Sequence, residues 1–261
     1  MITGLRLLFT HRRFLWATTV HETRARYAGT ALGLTWMILY PLFFLGLYTV
    51  VYTMILKIRL EQFTTFDYVL LIFSGLIPFL GFSEALGSGV SAVTANKVLI
   101  KNTLFPIELL PVKAVLVGSL TMLVGLSVLQ SVLWIRGTWY MSQLLIPIIL
   151  LLQLLFTIGL IWLLSALNVF FQDLGQMISI LLLFLMLVSP IGYTIDMIPP
   201  KLMLLMYPNP LYYLIMLYRE CIMLGHAPVE HLLIFSSVSV AIFWLGFYVF
   251  SRLKVVFADY V

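Results

Sequence analysis

Residues 27–56 read YAGTALGLTWMILYPLFFLGLYTVVYTMIL and contain no Asp, Glu, Lys or Arg. A bilayer core about 30 Å thick is crossed by roughly 20 consecutive apolar residues in a helix. This stretch therefore predicts a membrane-spanning helix. The pattern recurs along the chain, and we predict six spans at about residues 30–56, 68–94, 112–135, 144–168, 174–195 and 231–251.

The composition predicts an all-α, polytopic membrane protein with one domain covering residues 1–261. Of the 261 residues, 62% are hydrophobic and 10% are charged, whereas soluble domains are about 45–50% apolar and about 25% charged. This excludes an ordinary soluble enzyme, a disordered protein and a basic nucleic-acid binder, although the net charge is +5. Cys221 is the only cysteine in the sequence, so neither an intrachain disulfide nor a thiolate metal site is predicted.

A seventh apolar run, residues 202–218, is interrupted by Pro208-Asn209-Pro210. Proline removes a backbone donor and opposes helical geometry in the residue before it, so this tripeptide should break a helix. Each half is too short to span a bilayer. We therefore predict short re-entrant helices within residues 199–224, which are tolerable in a membrane only where other protein buries them.

The distribution of Lys and Arg predicts the orientation. If both termini are cytoplasmic, ten cations lie inside: Arg6, Arg12, Arg13, Arg24, Arg26, Lys97, Lys101, Lys113, Arg252 and Lys254. Five lie outside: Lys57, Arg59, Arg136, Lys201 and Arg219. Because cytoplasmic loops carry the excess of Lys and Arg, we predict cytoplasmic termini and an outer location for residues 199–224.

The first 28 residues show no apolar core followed by a small-residue cleavage site, so no signal peptide is predicted. One helical face carries apolar side chains at positions Leu5, Phe9, Trp16, Val20 and Tyr27. This predicts an amphipathic helix lying on the inner surface of the membrane, in contact with lipid. Arg12 interrupts that face, which fits a break near residues 10–12.

Sequence signatures of catalysis are missing from the chain. There is no Gly-rich loop followed by Lys and Ser/Thr for nucleotide phosphates, and no HExxH, GxSxG or paired-Cys motif. His226 and His231, with Glu230 between them, have poor spacing for metal ligands. We expect no catalytic residue, no metal site and no cofactor in this chain.

Several motifs, in their order along the chain, resemble those of bacterial type-2 ABC export permeases for polysaccharides. They are Arg24–Tyr27, Ala31–Trp36, Tyr40–Leu42, Ser74–Phe79, Phe82–Leu86, Asn96–Lys101, Leu104–Pro106, Leu109–Pro111, Asn168–Phe170, Asp173–Leu174, Ser189–Tyr193 and Asn209–Leu211. The resemblance covers nearly the whole chain. It departs from the family pattern at Asn102 and Gln172, where the family often has a basic residue.

The resemblance implies a multi-pass subunit of the bacterial inner membrane. It implies a homodimer that binds two copies of a separate ABC ATPase, which would carry ATP and Mg²⁺. The implied cargo is a polyprenyl-pyrophosphate-linked polysaccharide, above all lipopolysaccharide O-antigen, passing through a channel between the two protomers. The alternative cargoes are capsular polysaccharide, teichoic acid, or drugs and small lipids. Two other classes of protein, a membrane-embedded enzyme and a secondary transporter, would need more polar groups within the spans.

Two candidate sites lie within the predicted spans. Trp36, Tyr40, Phe43 and Leu47 share one face of the first span and could form a sliding surface for sugars, or could instead pack against helices or lipid. Glu84 is the one acidic residue well inside a span, roughly 24 Å from its outer end. It could act at the inner entrance of the channel, or it could be satisfied by a neighbouring helix or protonated.

Three further candidate sites lie near the membrane surfaces. Residues 97–106 are predicted to form a coupling helix for the ATPase through Lys97, Leu99, Lys101, Leu104 and Phe105, with membrane anchoring by the two lysines as the alternative. Lipid or pyrophosphate contact is predicted for Arg12, Arg13, Arg24 and Arg26. An outer gate is predicted at Tyr193, Asn209, Tyr212 and Tyr213, where an interfacial tyrosine belt is the alternative.

Overall fold

The computed structural model describes residues 2–55, 57, 64–97, 106–194 and 197–260. Throughout these ranges the chain forms helices joined by turns, with no strand, which confirms the predicted all-α class. We number the longer helices as follows: α1 Ile2–Thr10, α2 Arg12–Tyr27, α3 Trp36–Thr49, α4 Thr65–Gly89, α5 Leu109–Ile135, α6 Ile146–Phe170, α7 Leu174–Val188, α8 Pro200–Met206, α9 Pro210–Arg219 and α10 Val229–Leu253.

Five helical runs in the described ranges are long and apolar enough to cross a membrane. Short 3₁₀ and π turns extend α3, α6 and α10, so that the five runs are Gly33–Ile55, Thr65–Gly89, Leu109–Ile135, Met141–Phe170 and Val229–Val256. They correspond to five of the six spans expected from the sequence. The remaining expected span, at residues 174–195, contains α7.

Helix α7 is shorter than expected. It has 15 residues, which is about 22 Å at 1.5 Å per residue, and it ends at Val188. The reason is local: Ser189 adopts an extended conformation with φ −71° and ψ 144°, as a residue before proline prefers. Hydropathy alone missed this boundary because the apolar run continues past Pro190.

Helix α4 is the centre of the bundle. Of its most apolar stretch, 78% is buried inside the chain, against 11% for the run that contains α3. Glycines allow its backbone to lie close to α5: a Cβ atom on Gly118 would lie 2.7 Å from the carbonyl oxygen of Gly81. Gly159 and Gly246 bring α6 and α10 into similarly close contact. Small residues at such crossings are typical of helix packing in membranes, where close van der Waals contact, and not the hydrophobic effect, favours association of the helices.

Polar links connect the helices within the core. The Gln153 side chain on α6 donates to the carbonyl oxygen of Pro78 on α4 at 2.9 Å and accepts from the Tyr218 hydroxyl on α9 at 3.0 Å. In an apolar surrounding an unpaired amide costs several kcal/mol, so both ends of Gln153 need these partners. The three helices are therefore fixed in register with one another.

Ion pairs and hydrogen bonds mark the two ends of the bundle. At one end, the start of α5 contacts the terminal parts of the chain through Lys113–Glu22 and Glu108–Lys254, each at 2.5 Å. At the other end, Arg136 after α5 pairs with Asp67 at the start of α4. The carboxylate of Asp67 also accepts from the Thr64 hydroxyl at 2.6 Å, and Thr64 caps α4.

The N-terminal segment is divided into α1 and α2 at His11, within the range where Arg12 interrupts the apolar face. The Arg12 guanidinium donates to the carbonyl oxygen of Phe9 at 3.1 Å across this break. Helix α2 contacts α5 through a buried stripe formed by Leu15, Thr19 and Thr23, and both threonine hydroxyls donate to carbonyls four residues earlier. Phe9 and Trp16, from the predicted apolar face, are exposed.

Helices α8 and α9 flank the predicted break at residues 208–210. Asn209 caps α9, since its side-chain oxygen accepts from the backbone N–H of Leu211 at 3.0 Å. All residues of α9 from 211 to 219 are buried, packed against α4, α6 and α10. The protein burial that a short helix within a membrane would need is therefore present for α9.

Candidate functional site

A cavity of about 680 Å³ lies where the end of α2 meets α3, α4 and α7. Its walls are mostly apolar, with two serines, two tyrosines and one ion pair. The lining residues are Arg26, Tyr27, Tyr40, Phe44, Phe79, Leu80, Ser83, Glu84, Gly87, Ser179, Leu182, Leu183 and Met186. Its volume falls within the range of small-molecule sites, about 300–1,000 Å³. We take this cavity, called the α2–α7 cavity below, as the candidate site.

The ion pair joins two residues that the sequence assigned to different sites. The Arg26 guanidinium at the end of α2 contacts the Glu84 carboxylate on α4 through Nη1 and Oε1. The Arg26 side chain is 33% exposed and that of Glu84 is 17% exposed. The Thr121 hydroxyl on α5 also donates to Glu84 Oε1, at 3.5 Å. Glu84 thus has a cationic partner from the end of α2.

The four predicted arginines have different surroundings. Arg12, Arg13 and Arg24 are exposed on α2, and Arg12 is engaged with the Phe9 carbonyl. Among these four, Arg26 is the one that lines the α2–α7 cavity. The sequence could not single it out, because its partner lies 58 positions away in the chain.

The predicted aromatic face of α3 is accessible. Tyr40, Phe43 and Leu47 are 45%, 64% and 60% exposed, and the Trp36 ring lies 6.2 Å from the Phe43 ring. Packing against the described helices of this chain therefore does not account for these side chains. Tyr40 also borders the cavity, so this face connects the cavity with the open surface of α3.

The α7 wall of the cavity was missed by the sequence analysis. Ser179, Leu182, Leu183 and Met186 recur at spacings of three and four on α7 and face the cavity. Nothing in the sequence distinguishes these four positions from the other positions of α7. Their position depends on the contact of α7 with α4.

The predicted coupling segment lies almost wholly outside the described residues. Lys97 is exposed at the edge of the described range, whereas Leu99, Lys101, Leu104 and Phe105 lie outside it, as does Asn102. The segment that follows is firmly held: Glu108 is buried, its carboxylate pairs with Lys254, and its carbonyl oxygen accepts from the Trp162 indole at 2.9 Å.

The residues predicted to form an outer gate lie together around α9, and most are buried. Tyr212 and Tyr213 are buried against each other and against the ring of His231. Asn209 joins α9 to the end of α7 through a 3.2 Å contact with the Ser189 hydroxyl. The carbonyl oxygen of Tyr193 accepts from the Arg219 guanidinium at 3.1 Å.

Arg219 organises this region, a role that the sequence analysis missed. Its buried guanidinium donates to the carbonyl oxygens of Pro190 at 2.6 Å and Ile191 at 3.0 Å, besides that of Tyr193. The Tyr68 hydroxyl donates to the intervening carbonyl of Gly192 at 2.6 Å. The signal in the sequence was a lone cation at the end of the apolar run of α9, which the charge count had assigned only to the outer side of the membrane.

The chain is similar to known proteins over most of its length. The O-antigen export system permease protein RfbA of Klebsiella pneumoniae is 28% identical over 246 residues, covering 92% of each chain. The protein of the same name from Myxococcus xanthus is 28% identical over 263 residues, covering 99% of each chain. The polysialic acid transport protein KpsM of Escherichia coli is 27% identical over 219 residues, covering 80% of this chain and 81% of KpsM.

The family comparison covers the same region as the helices described above. The profile of the ABC-2 type transporter family matches residues 13–223, from α2 through α9 to the turn before α10. That range includes the α2–α7 cavity and the region around Arg219. Since the match extends over most of the sequence, the chain belongs to the ABC-2 type transporter family of membrane proteins.

Proposed function

We propose that this chain is the membrane subunit of an ATP-driven exporter of lipid-linked polysaccharide, with O-antigen as its cargo. The observation that carries the proposal is similarity along 92–99% of the chain to permeases named for O-antigen export. The exposed aromatic face of α3 and its connection to the α2–α7 cavity support it, because aromatic rings present flat apolar faces to the C–H faces of sugars. Capsular polysaccharide is the second candidate cargo, favoured by the similarity to KpsM.

In this proposal two copies of the chain form a channel, and each binds one copy of a separate ATPase that carries ATP and Mg²⁺. The sparse packing of α3 supports a second copy as its neighbour. Deleting the gene in its host should abolish the surface polysaccharide, and returning it on a plasmid should restore the polymer. Retention of full-length surface polymer by the deletion strain would reject the proposed function. Increased drug sensitivity without polymer loss would assign a drug exporter instead.

We also propose six crossings in the inner membrane, with both termini in the cytoplasm and α8 and α9 re-entrant from the outer face. The contacts of Glu22 and Lys254 with the start of α5 support termini on one side. The contact of Tyr68 with Gly192 supports α7 as a sixth crossing, because it places the end of α7 beside the start of α4.

Cysteine labelling tests this topology. In a Cys221→Ser background, Tyr207→Cys should react with a membrane-impermeant maleimide in intact spheroplasts, since Tyr207 is exposed beside the α8–α9 break. Arg24→Cys, the matched exposed position on α2, should react only after lysis. Labelling of the Tyr207→Cys protein only after lysis would contradict the proposed orientation.

We propose that residues 97–106 couple the permease to its ATPase. The double variant Leu104→Ala/Phe105→Ala should lower polymer-stimulated ATP hydrolysis several-fold while the permease remains in the membrane, because apolar side chains on a cytoplasmic loop need a partner surface. Lys97→Ala/Lys101→Ala, which removes the two predicted cationic contacts of the same segment, should lower hydrolysis less than the apolar double variant does. The reverse pattern, with loss only in the lysine variant, would show membrane anchoring instead.

A further inference from the structure

The lining of the α2–α7 cavity combines a cation with apolar walls, which suits an amphiphile with an anionic head. Arg26 supplies positive charge at one side, beside Tyr27 and Glu84, while Phe79, Leu182 and their neighbours supply apolar walls. A ligand with a charged head and an apolar tail would satisfy both parts. Gly87 leaves open space in the wall, since a Cβ atom there would meet nothing within 4 Å.

In the structure a carboxylate occupies the position where the head of such a ligand would bind. Glu84 contacts Arg26 through one guanidinium nitrogen, and a guanidinium offers five N–H donors in a planar fork. A phosphate or diphosphate can accept from this fork in a bidentate manner and carries more charge than a carboxylate. It would therefore compete with Glu84 for Arg26.

Glu84 has a second donor available when Arg26 is taken. The Thr121 hydroxyl lies 3.5 Å from Glu84 Oε1, a distance that a small rotation of either side chain would shorten into a good hydrogen bond. Displacement from Arg26 would thus leave the carboxylate with a partner. Helix α2 would stay attached to the bundle, because Lys113–Glu22 and the buried stripe on α5 do not involve Arg26.

We infer that Arg26 binds the phosphate or diphosphate head of a polyisoprenoid lipid, and that Glu84 is a built-in competitor which holds Arg26 until the head displaces it. This inference rests on the proposed function, which supplies a lipid-linked cargo. It adds a regulatory element, because the site is occupied by the protein's own carboxylate until a ligand with stronger charge enters. Ligands without an anionic head would leave the ion pair intact.

Binding measurements on the purified full chain in a nonionic detergent test the inference, with farnesyl diphosphate as the probe. Glu84→Gln should bind the probe about tenfold more tightly than the unaltered protein, because no ion pair has to be broken. Arg26→Gln should bind it about tenfold more weakly. Arg6→Gln, which removes an exposed cation from α1 that has no predicted part in the site, should change the affinity by less than about twofold.

Two ligand controls identify what the site recognises. Inorganic pyrophosphate, which lacks the tail, and farnesol, which lacks the charge, should each bind at least tenfold more weakly than farnesyl diphosphate. Equal binding of pyrophosphate would overturn the lipid assignment, and equal binding of farnesol would overturn the role of Arg26. Unchanged or weaker binding of farnesyl diphosphate by Glu84→Gln would overturn the competitor role.

The reversed pair, Arg26→Glu/Glu84→Arg, tests whether misfolding of the single variants explains their altered binding of the probe. It should restore the melting temperature of the unaltered protein if either single variant lowers it. Its binding should still exceed that of Arg26→Gln, because a guanidinium remains at the cavity. Binding as weak as that of Arg26→Gln would count against cavity-based recognition. If surface polymer still depends on the chain while these affinity changes are absent, the inference fails and the proposed function stands.

Discussion

Replacing Arg219 by methionine should destabilise the protein by about 2–5 kcal/mol. The guanidinium donates to three carbonyl oxygens in residues 190–193, of which those of Pro190 and Ile191 are buried, and each buried acceptor left without a donor costs about 1–3 kcal/mol. The loss of the buried charge offsets part of this destabilisation, because the variant has no guanidinium to be desolvated on folding. The stability of Arg219→Lys should lie between that of the unaltered protein and that of Arg219→Met, since an ammonium group lacks the planar fork that reaches several carbonyls at once.

Thermal unfolding in detergent, followed by intrinsic fluorescence, measures the effect of Arg219→Met. Lys201→Met is the matched control, because it removes a cation from the exposed surface of the neighbouring helix α8. The control should melt at the same temperature as the unaltered protein. Equal melting of Arg219→Met and the unaltered protein, with normal surface polymer, would show that Arg219 does not hold the turn.

The second large effect is expected at the aromatic face of α3. Replacing both Trp36 and Tyr40 by alanine should strongly reduce the export of long polysaccharide chains, more than either single replacement. Each ring offers a stacking surface, and aromatic pair contacts are worth about 0.5–1.5 kcal/mol as a guide. Two lost contacts then correspond to a reduction of roughly five- to a hundredfold. Surface polymer, measured by gel with chain-length resolution, reports the result.

A matched control lies on another helix. Trp244 and Tyr248 on α10 are also exposed and stacked, with ring centroids 5.7 Å apart. Their double alanine variant should export normally, because those rings are not part of the proposed channel surface. Normal polymer in the α3 variant, or a complex that dissociates in detergent, would reject the channel role of Trp36 and Tyr40.

Much of the fold could be predicted from the sequence because each membrane helix is visible there as a continuous apolar run. A charge-free run such as residues 27–56 identifies a span without any knowledge of its neighbours. The tripeptide at 208–210 likewise predicts a helix break, and Asn209 caps the helix that follows. The end of α7 was mistaken because hydropathy outweighed Pro190, whose effect on Ser189 is equally local.

The site was less predictable because it depends on contacts between distant segments. Glu84 and Arg26 each stood out, one as a carboxylate in a span and the other as a cation on an interfacial helix. Their pairing depends on the packing of α2 against α5, which brings the end of α2 to Glu84 and is not visible in any sequence pattern. The role of Arg219 was missed for the same reason: its acceptors lie 26 to 29 positions earlier in the chain.

The pairing of Arg26 with Glu84 also bears on how the chain enters the membrane during synthesis. Arg26 directly precedes the first apolar run, so the ribosome releases it well before α4. Helix α3 contains no charged side chain and has few contacts with the rest of the bundle, so it can rest in lipid alone. When α4 follows, the cation that neutralises Glu84 has already been synthesised. The Glu84 carboxylate can therefore pair with Arg26 of α2 as soon as α4 inserts, without a partner from a helix that is synthesised later.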